Sequence, residues 1–309
     1  MKIFLKPLIL NKYMLWIILA LISAIFTGSK NILTKKLLKK EIPRTQIIFS
    51  EYLFLFIITT ILFFNKINFT SIYFLKEIFL LKTITLIFFT FLFLHLLEKY
   101  DISLVTPLMN LSPLILLFFS YFFLYEKITN LQLIGIIIII SSTYFLEVII
   151  KHHKKNSPHK HHFINLKKLN YKFFLKILIM LISISITAIT DKLILKKVNV
   201  YTDLFYTATI VLIAILNYYL FKKNLIKTTK NIIQNPNLFL ISLFTNLGTY
   251  SILLAIQIPN AKLSLIIPIK RTSTLFSSII GGKLFHEKHL FKKIIAIIIM
   301  LFGILLLVI

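Results

Sequence analysis

Apolar residues form runs of about 20 residues along the whole chain, and short polar segments separate these runs. A helix rises about 1.5 Å per residue, so each run is long enough to cross the ~30 Å hydrocarbon core of a bilayer. The runs lack the alternating pattern of a transmembrane β-barrel. The pattern therefore predicts an all-α membrane protein with ten spans, at 14–34, 46–64, 78–97, 102–124, 130–150, 173–194, 203–221, 238–258, 263–285 and 290–309.

The two halves of the chain match each other. A shift of 161 positions superposes segment 103–114 on segment 264–275, with identical Ser, Leu and Pro residues at several places. The same shift places Glu126-Lys127 on Glu287-Lys288. Five spans is an odd number, so the second half enters the membrane from the opposite side. We therefore expect two inverted five-helix repeats, an arrangement typical of secondary transporters with a site near the midplane.

A basic segment, 151–172, divides the chain into a first repeat at 1–150 and a second repeat at 173–309. This segment holds five of the eight histidines, but it contains no cysteine and no carboxylate. Histidine-rich tracts can bind metals, although the many neighbouring lysines oppose cation binding. We expect a solvated connecting loop and no metal site.

Composition excludes most soluble classes. Apolar residues make up 58% of the 309 residues and charged residues only 15%, against about 25% in ordinary soluble domains. The net charge of +26 would suggest a nucleic-acid partner in a soluble chain, but here most lysines lie between the apolar runs and would meet lipid headgroups. No cysteine is present, so neither a disulfide nor a thiol nucleophile exists.

Several short segments carry a family resemblance: Ser103–Pro107, Leu111–Pro113, Glu126-Lys127 with Gln132 and Gly135, Asp191-Lys192, Ser264–Pro268 and Glu287-Lys288. Through these segments, the chain resembles the drug/metabolite transporter superfamily, specifically its EamA type with two five-helix repeats. The resemblance extends over essentially the whole chain. It implies a ten-helix transporter, whereas the cargo is open, because family members move amino acids, metabolites, nucleotide derivatives and drugs.

Two adjacent cations lie inside the ninth predicted span. Lys270 and Arg271, called the cation pair below, stand where the first repeat has Met109 and Asn110. Charges near the bilayer centre cost ~2.5–3.5 kcal/mol on insertion scales, so they usually face a wet cavity or a partner. The pair suits a carboxylate or a phosphate; internal pairing and snorkelling are the alternatives. It also resembles the Lys-Arg pair of the triose-phosphate and nucleotide-sugar translocators, which implies a phosphate-binding role.

Four further charged residues in the spans are candidates for the site. Lys30 and Lys192 fall on each other at a shift of 162, and we expect them to bind substrate from opposite sides or to snorkel. Asp191 either neutralises the cation pair or carries a proton. Glu51 has Lys30 or a proton as its expected partner.

Prolines and uncharged polar residues add to these candidates. Pro107 and Pro268 each remove a backbone hydrogen bond and predict breaks in the fourth and ninth spans. Asn110, Ser112 and Tyr250 lie in otherwise apolar spans. They either line a substrate cavity or bond neighbouring helices to each other.

The sequence thus predicts a secondary transporter that moves a small anionic or zwitterionic metabolite, an amino acid or organic acid, by alternating access. An organic-phosphate or nucleotide-sugar exchanger is the alternative, and a membrane-embedded enzyme or scaffold is a remote one. We expect no catalytic residue, no cofactor and no nucleic-acid partner. We do expect a small-molecule substrate, contacts with membrane lipids and a location in the plasma membrane, and a homodimer is left open.

The lysine-rich loops lie on the side of the membrane opposite the termini. The positive-inside rule therefore places both termini outside, whereas the family usually keeps them in the cytoplasm.

Overall fold

The structure is a computed structural model of the chain. It describes residues 6–124, 129–142 except 132, 136 and 140, 171–222, 224–259, 261–287 and 290–308. Within these ranges the secondary structure is helical and contains no strand. Most of segment 151–172, as well as the motif residues Glu126 and Lys127, lies outside the described residues.

The first repeat supplies five labelled helices: α1 (Lys6–Lys39), α2 (Arg44–Phe63), α3 (Ser71–Lys99), α4 (Ile102–Leu108) and α5 (Ser112–Leu124). Further helical residues lie between 130 and 142. The second repeat supplies α6 (Tyr171–Leu195), α7 (Val200–Phe221), α8 (Leu225–Gln234), α9 (Pro236–Gln257), α10 (Leu263–Lys270), α11 (Ser273–Leu284) and α12 (Leu290–Val308).

Eight of the ten predicted spans are long and apolar enough to cross a membrane. They correspond to α1, α2, α3, α4 with α5, α6, α7, α9, and α10 with α11. The fifth predicted span lies largely outside the described residues, and the tenth coincides with the helix α12. The multi-pass all-α architecture is confirmed, whereas the count of ten stays a prediction.

The helix α8 has no counterpart among the predicted spans. It is only ten residues long, and its apolar residues Ile226 and Ile233 are largely exposed. Its polar residues fall on the remaining faces, so it is amphipathic and too short to cross a bilayer. A helix of this kind contains no long apolar run, so the hydropathy pattern does not predict it.

The equivalent helices α2 and α7 lie antiparallel to each other. At one end, the hydroxyl of Tyr219 in α7 donates to Thr45 Oγ1 in the first turn of α2 at 3.0 Å. At the other end, Asn199 Nδ2 before α7 donates to the carbonyl of Lys66 after α2 at 2.7 Å. Two repeats whose matching helices run in opposite directions are inverted, in agreement with the sequence.

The helix contacts keep their pattern when the two repeats are exchanged. Helix α1 packs on α9, and its counterpart α6 packs on α3; likewise α1 contacts α11, and α6 contacts α5. Small residues permit the close approach of α1: a Cβ on Gly28 would lie 3.1 Å from the carbonyl oxygen of Ser273. Ser23 Oγ donates to the carbonyl of Gly248 in α9 at 2.7 Å.

The fourth and ninth predicted spans are both interrupted. A 3₁₀ turn, Met109–Leu111, separates α4 from α5, and a turn at 271–272 separates α10 from α11. Pro107 and Pro268 lie inside the helices that end just before these turns. Because proline lacks an amide hydrogen, the preceding helical turn loses one hydrogen bond, and the next residues form tighter turns instead.

A carboxylate of the second repeat anchors the start of the interrupted span in the first repeat. Glu287 Oε1 accepts from the Ile102 amide at 2.9 Å, and Oε2 accepts from the Ser103 hydroxyl. Lys293 Nζ donates to Ser103 Oγ at 2.7 Å and lies 3.3 Å from Glu287 Oε2. The Glu of the repeated motif therefore joins the two repeats at a helix N-terminus, where the helix dipole favours an anion.

Candidate functional site

A cavity of about 190 Å³ lies between the two repeats. Its walls come from α1, α2, α3, the broken α4–α5 span, α6, α7, α9 and the broken α10–α11 span. The polar part of its wall contains Thr27, Lys30, Asn31, Glu51, Tyr52, Lys82, Thr90, Thr106, Ser112, Ser185, Thr187, Asp191, Thr207, Thr245, Asn246, Thr249, Lys270, Arg271, Ser273 and Thr274. Both repeats therefore present charged groups to one enclosed space.

The break between α10 and α11 brings the cation pair into the cavity wall. Lys270 is the last residue of α10, and Arg271 occupies the turn that follows. The Arg271 amide still donates to the carbonyls of Ile267 and Pro268, at 3.2 and 3.0 Å, so the backbone of the turn is held. Because the turn projects two consecutive side chains, both cations line the cavity.

Neither side chain of the cation pair forms an ion pair with a carboxylate in the part of the chain that the structure describes. Arg271 is only 8% exposed, and its Nε lacks a hydrogen-bond acceptor. Lys270 is half-buried and forms no ion pair with the described carboxylates. A buried guanidinium without a partner is costly, so this place in the wall is complementary to an anion.

A buried ion pair joins α1 to α2 inside the cavity. Lys30 Nζ lies 3.1 Å from Glu51 Oε1, and Glu51 is only 3% exposed. Thr245 of α9 donates its hydroxyl hydrogen to the same oxygen at 3.1 Å. Of the two partners considered for Glu51, the structure shows Lys30, and this ion pair reaches α9 in the second repeat through Thr245.

A second charged cluster joins α3 of the first repeat to α6 and α7 of the second. Lys82 Nζ lies 2.6 Å from Asp191 Oδ1 and 2.5 Å from Asp203 Oδ1. Thr207 Oγ1 also donates to Asp203 Oδ1, at 3.4 Å. We call Lys82, Asp191 and Asp203 the charged triad. Asp191 thus forms its ion pair with Lys82 and also attracts Lys270 of the cation pair electrostatically, so both roles considered for it stay predictions.

Lys192 does not reach the cavity wall that contains Lys30. Its ammonium donates to the carbonyls of Ile256 and Ala261, at 2.8 and 2.9 Å, where α9 ends and α10 approaches. Lys35 forms the same kind of contact in the first repeat. Its ammonium donates to the carbonyl of Leu97 and to the carbonyl of Tyr100, the latter at 2.7 Å.

The repeat counterpart of Lys192 is therefore Lys35, and the equivalence of Lys192 with Lys30 is wrong. The two lysines bind matching junctions in the two repeats, after α3 and after α9. The offset between the repeats changes along the chain: it is 161 positions for segment 103–114 but 157 positions between Lys35 and Lys192. In each repeat the lysine supplies donors to carbonyls at a helix end, which lack partners inside the helix.

The uncharged candidates divide between the cavity and the helix interfaces. Ser112 lines the cavity, and its hydroxyl has no partner among the described residues. Asn110 is fully buried outside the cavity wall and donates to Thr274 Oγ1 at 3.3 Å. Tyr250 also lies outside this wall, with its hydroxyl 3.2 Å from that of Tyr201. Asn110 and Tyr250 thus connect helices.

Comparison with known protein families gives a match over nearly the whole chain. The model of the EamA-like transporter family matches residues 14–148 and again residues 172–309. The chain belongs to the EamA-like transporter family. The two matched ranges correspond to the two repeats of the fold, in agreement with the drug/metabolite transporter superfamily expected from the sequence. No curated protein matches the chain.

In this EamA-like protein, the charges around the cavity leave a positive excess. Lys30 and Glu51 compensate each other, and the charged triad carries one more negative than positive charge. The cation pair adds two positive charges that form no ion pair within the described structure. The described ionised side chains of this site therefore sum to one positive charge, which one monoanion would neutralise.

Sequence reasoning missed Lys82 and Asp203. Lys82 is the fifth residue of the predicted span 78–97, and Asp203 is the first residue of the predicted span 203–221. The structure extends α3 back to Ser71 and α7 back to Val200, which places both side chains in the protein interior. An acidic and a basic residue inside the edges of two spans were the available signal.

Proposed function

We propose that this EamA-like protein is a secondary transporter of a small metabolite that carries a carboxylate, such as an amino acid or an organic acid. The observation that supports this proposal is the cation pair: two cations in the wall of an interior cavity that form no ion pair within the described structure. The carboxylate is bound by the guanidinium of Arg271, whose planar donors match two carboxylate oxygens, with Lys270 as a second positive charge. The protein would act in the plasma membrane.

The size of the cavity favours a small cargo. Sites for drug-sized ligands have volumes of roughly 300–1,000 Å³. The cavity here has about 190 Å³, which suits a molecule of amino-acid size and is too small for a nucleotide sugar without rearrangement. The positive excess likewise favours an anion, or a zwitterion whose amino group approaches the charged triad.

Inverted repeats support alternating access as the mechanism. Two related bundles that pack through matching contacts have two packings of similar energy, one open to each side of the membrane. The cavity lies between the bundles. The charged triad joins one repeat to the other, and Glu51 of the Lys30–Glu51 ion pair accepts a hydrogen bond from Thr245 of the second repeat. Rocking of the repeats would therefore change access to the cavity and the geometry of these charges together.

The test is transport by the purified protein in proteoliposomes. Vesicles are loaded in turn with an unlabelled amino acid, dicarboxylate, monocarboxylate or sugar phosphate, and uptake of the labelled compound is measured by counterflow. We expect saturable uptake of a carboxylate compound. Uptake of sugar phosphates alone would instead establish the organic-phosphate exchanger, and uptake of cations or neutral compounds alone would refute the proposal.

The variant Arg271→Gln tests the residue that carries the proposal. Hydrogen bonds to charged groups contribute about 1.5–3 kcal/mol, so KM for the carboxylate compound should rise by roughly 10- to 150-fold. Lys262→Gln is the matched control, because Lys262 is exposed just before the same broken span. Unchanged KM in Arg271→Gln would show that the cargo does not contact the guanidinium.

A further inference from the structure

The charged triad consists of three groups from three helices and both repeats. Lys82 of α3 lies between the carboxylates of Asp191 in α6 and Asp203 in α7. Lys82 and Asp203 are 4% and 0% exposed at their side chains, respectively. Two carboxylates share one ammonium, so the triad keeps a negative charge in a place where water is scarce.

Two oxygens of the triad are buried and accept no hydrogen bond from the residues that the structure describes, Asp203 Oδ2 and Asp191 Oδ1. Asp191 Oδ1 has the ammonium of Lys82 at 2.6 Å as an ion-pair partner, whereas no ion pair is formed by Asp203 Oδ2. Asp191, in contrast, lines the cavity and is 15% exposed at its side chain, and Lys82 lines it as well. The triad thus has an interior acceptor oxygen and one carboxylate that water in the cavity reaches.

A salt bridge that only stabilises the fold would need one carboxylate beside Lys82 and not two. An unpaired buried charge is costly, and a single Asp would neutralise Lys82 completely. A metal ion is a poor occupant, because Lys82 Nζ already lies between the carboxylates at 2.5 and 2.6 Å, where a cation with several oxygen ligands would need space. A proton needs no such space.

We propose that the charged triad is a proton-coupling site, and that the protein carries one proton together with its anionic cargo. This inference rests on the proposed carboxylate transport. In the loaded state a proton from water is bound to a carboxylate oxygen of the Asp191–Asp203 pair, while Lys82 keeps its own ammonium protons. When the cavity faces the other side, the proton returns to water there and the carboxylate is restored.

The surrounding charges determine the direction of coupling. The ionisable side chains on neighbouring elements that line the same cavity as Lys82 and Asp191 are Lys30 of α1, Glu51 and Tyr52 of α2, Lys270 of α10 and Arg271 of the following turn. Helices α4, α5 and α9 contribute no charged side chain. A proton on the triad removes one negative charge from this set, so the cation pair attracts an anion more strongly.

Coupling free energies are reciprocal, so bound anion must also favour the protonated triad. The two ligands then bind together and are released together, which is symport. In an antiporter the proton and the cargo would compete. The opposite signs of the proton and the anion, acting on one shared set of charges, favour joint binding over competition.

The experiment follows protons and cargo at once. Wild-type proteoliposomes contain a pH-sensitive dye, and the carboxylate compound identified by counterflow is added outside without a preset pH gradient. We expect the lumen to acidify during uptake, by an amount that scales with the cargo taken up. We also expect the affinity for the cargo to rise at least about fivefold at mildly acidic against alkaline pH, within the usual range of coupling.

The variant Asp191→Asn mimics the protonated carboxylate. We expect its affinity for the cargo to be high at both pH values and its cargo-driven acidification to be lost. Asp101→Asn is the matched control, because Asp101 is an exposed carboxylate 3.6 Å from Lys293, outside the cavity. If Asp191→Asn does not fold, the wild-type measurement still decides.

Each outcome is assigned to one hypothesis. Cargo uptake without acidification, or uptake that needs sodium instead, overturns proton coupling and leaves carboxylate transport intact. Alkalinisation of the lumen during uptake would show antiport and contradict the sign argument. Absence of carboxylate uptake at every pH refutes the proposed function itself.

Discussion

The unpaired guanidinium of Arg271 should reduce the stability of the empty protein. We expect Arg271→Met to raise the free energy of unfolding while it abolishes tight binding of the cargo. Methionine keeps a long flexible side chain but removes a charge that no described residue compensates. The sign of this change in the free energy of unfolding is informative, because most single substitutions in a protein interior lower the stability.

The magnitude follows from the burial of the group. Arg271 is 8% exposed, and an arginine near the centre of a membrane helix costs about 2.5–3.5 kcal/mol on insertion scales. Water in the cavity lowers this cost, so we expect a gain of about 2 kcal/mol. At roughly 2–4 °C per kcal/mol, this gain corresponds to a rise of about 5 °C in the midpoint of thermal unfolding.

The assay is thermal unfolding of the detergent-solubilised protein without cargo. Arg44→Met is the matched control, since Arg44 and Arg271 are the only arginines in the sequence. Arg44 Nε lies 3.1 Å from Glu98 Oε2, and its guanidinium lies over the ring of Phe91, so its removal should lower the midpoint. A lower midpoint in Arg271→Met as well would refute the reasoning, because it would reveal a partner for the guanidinium within the protein.

Two further predictions concern the buried charges around the site. Lys30→Met and Glu51→Leu should each destabilise by up to about 3–5 kcal/mol, and the double variant by clearly less than the sum, as measured by thermal unfolding; additive effects would contradict the ion pair. Lys35→Met and Lys192→Met should each cost about 1–3 kcal/mol, because each leaves two carbonyls without a charged donor. A large effect in only one of these two variants would contradict their equivalence in the repeats.

The membrane fold could be predicted from the sequence because it depends on local properties. Hydropathy over about 20 residues identifies a membrane span whichever helices pack against it. Pro107 and Pro268 likewise interrupt the helices in which they themselves lie. The inversion could be predicted as well, because an odd number of spans per repeat fixes the direction of the second. These inferences need no knowledge of which helices touch.

The charged triad could not be predicted, because it depends on long-range contacts. Lys82 meets Asp203 over 121 residues, and only the packing of α3 against α6 and α7 brings the three side chains together. The cation pair was visible because both residues are adjacent and deep in one span. The partners of Lys192 are backbone carbonyls, which every residue carries, so no sequence pattern distinguishes them.

Access to the cavity from the two sides of the membrane tests the central claim most directly. The chain has no cysteine, so Ser112→Cys places a single thiol of nearly the same shape in the cavity wall. Its reaction with a membrane-impermeant maleimide is measured in proteoliposomes of each orientation, with and without cargo. We predict labelling from both sides, with the balance between them changed by the cargo. Labelling from one side alone under every condition would contradict a carrier that rocks its two repeats about this cavity.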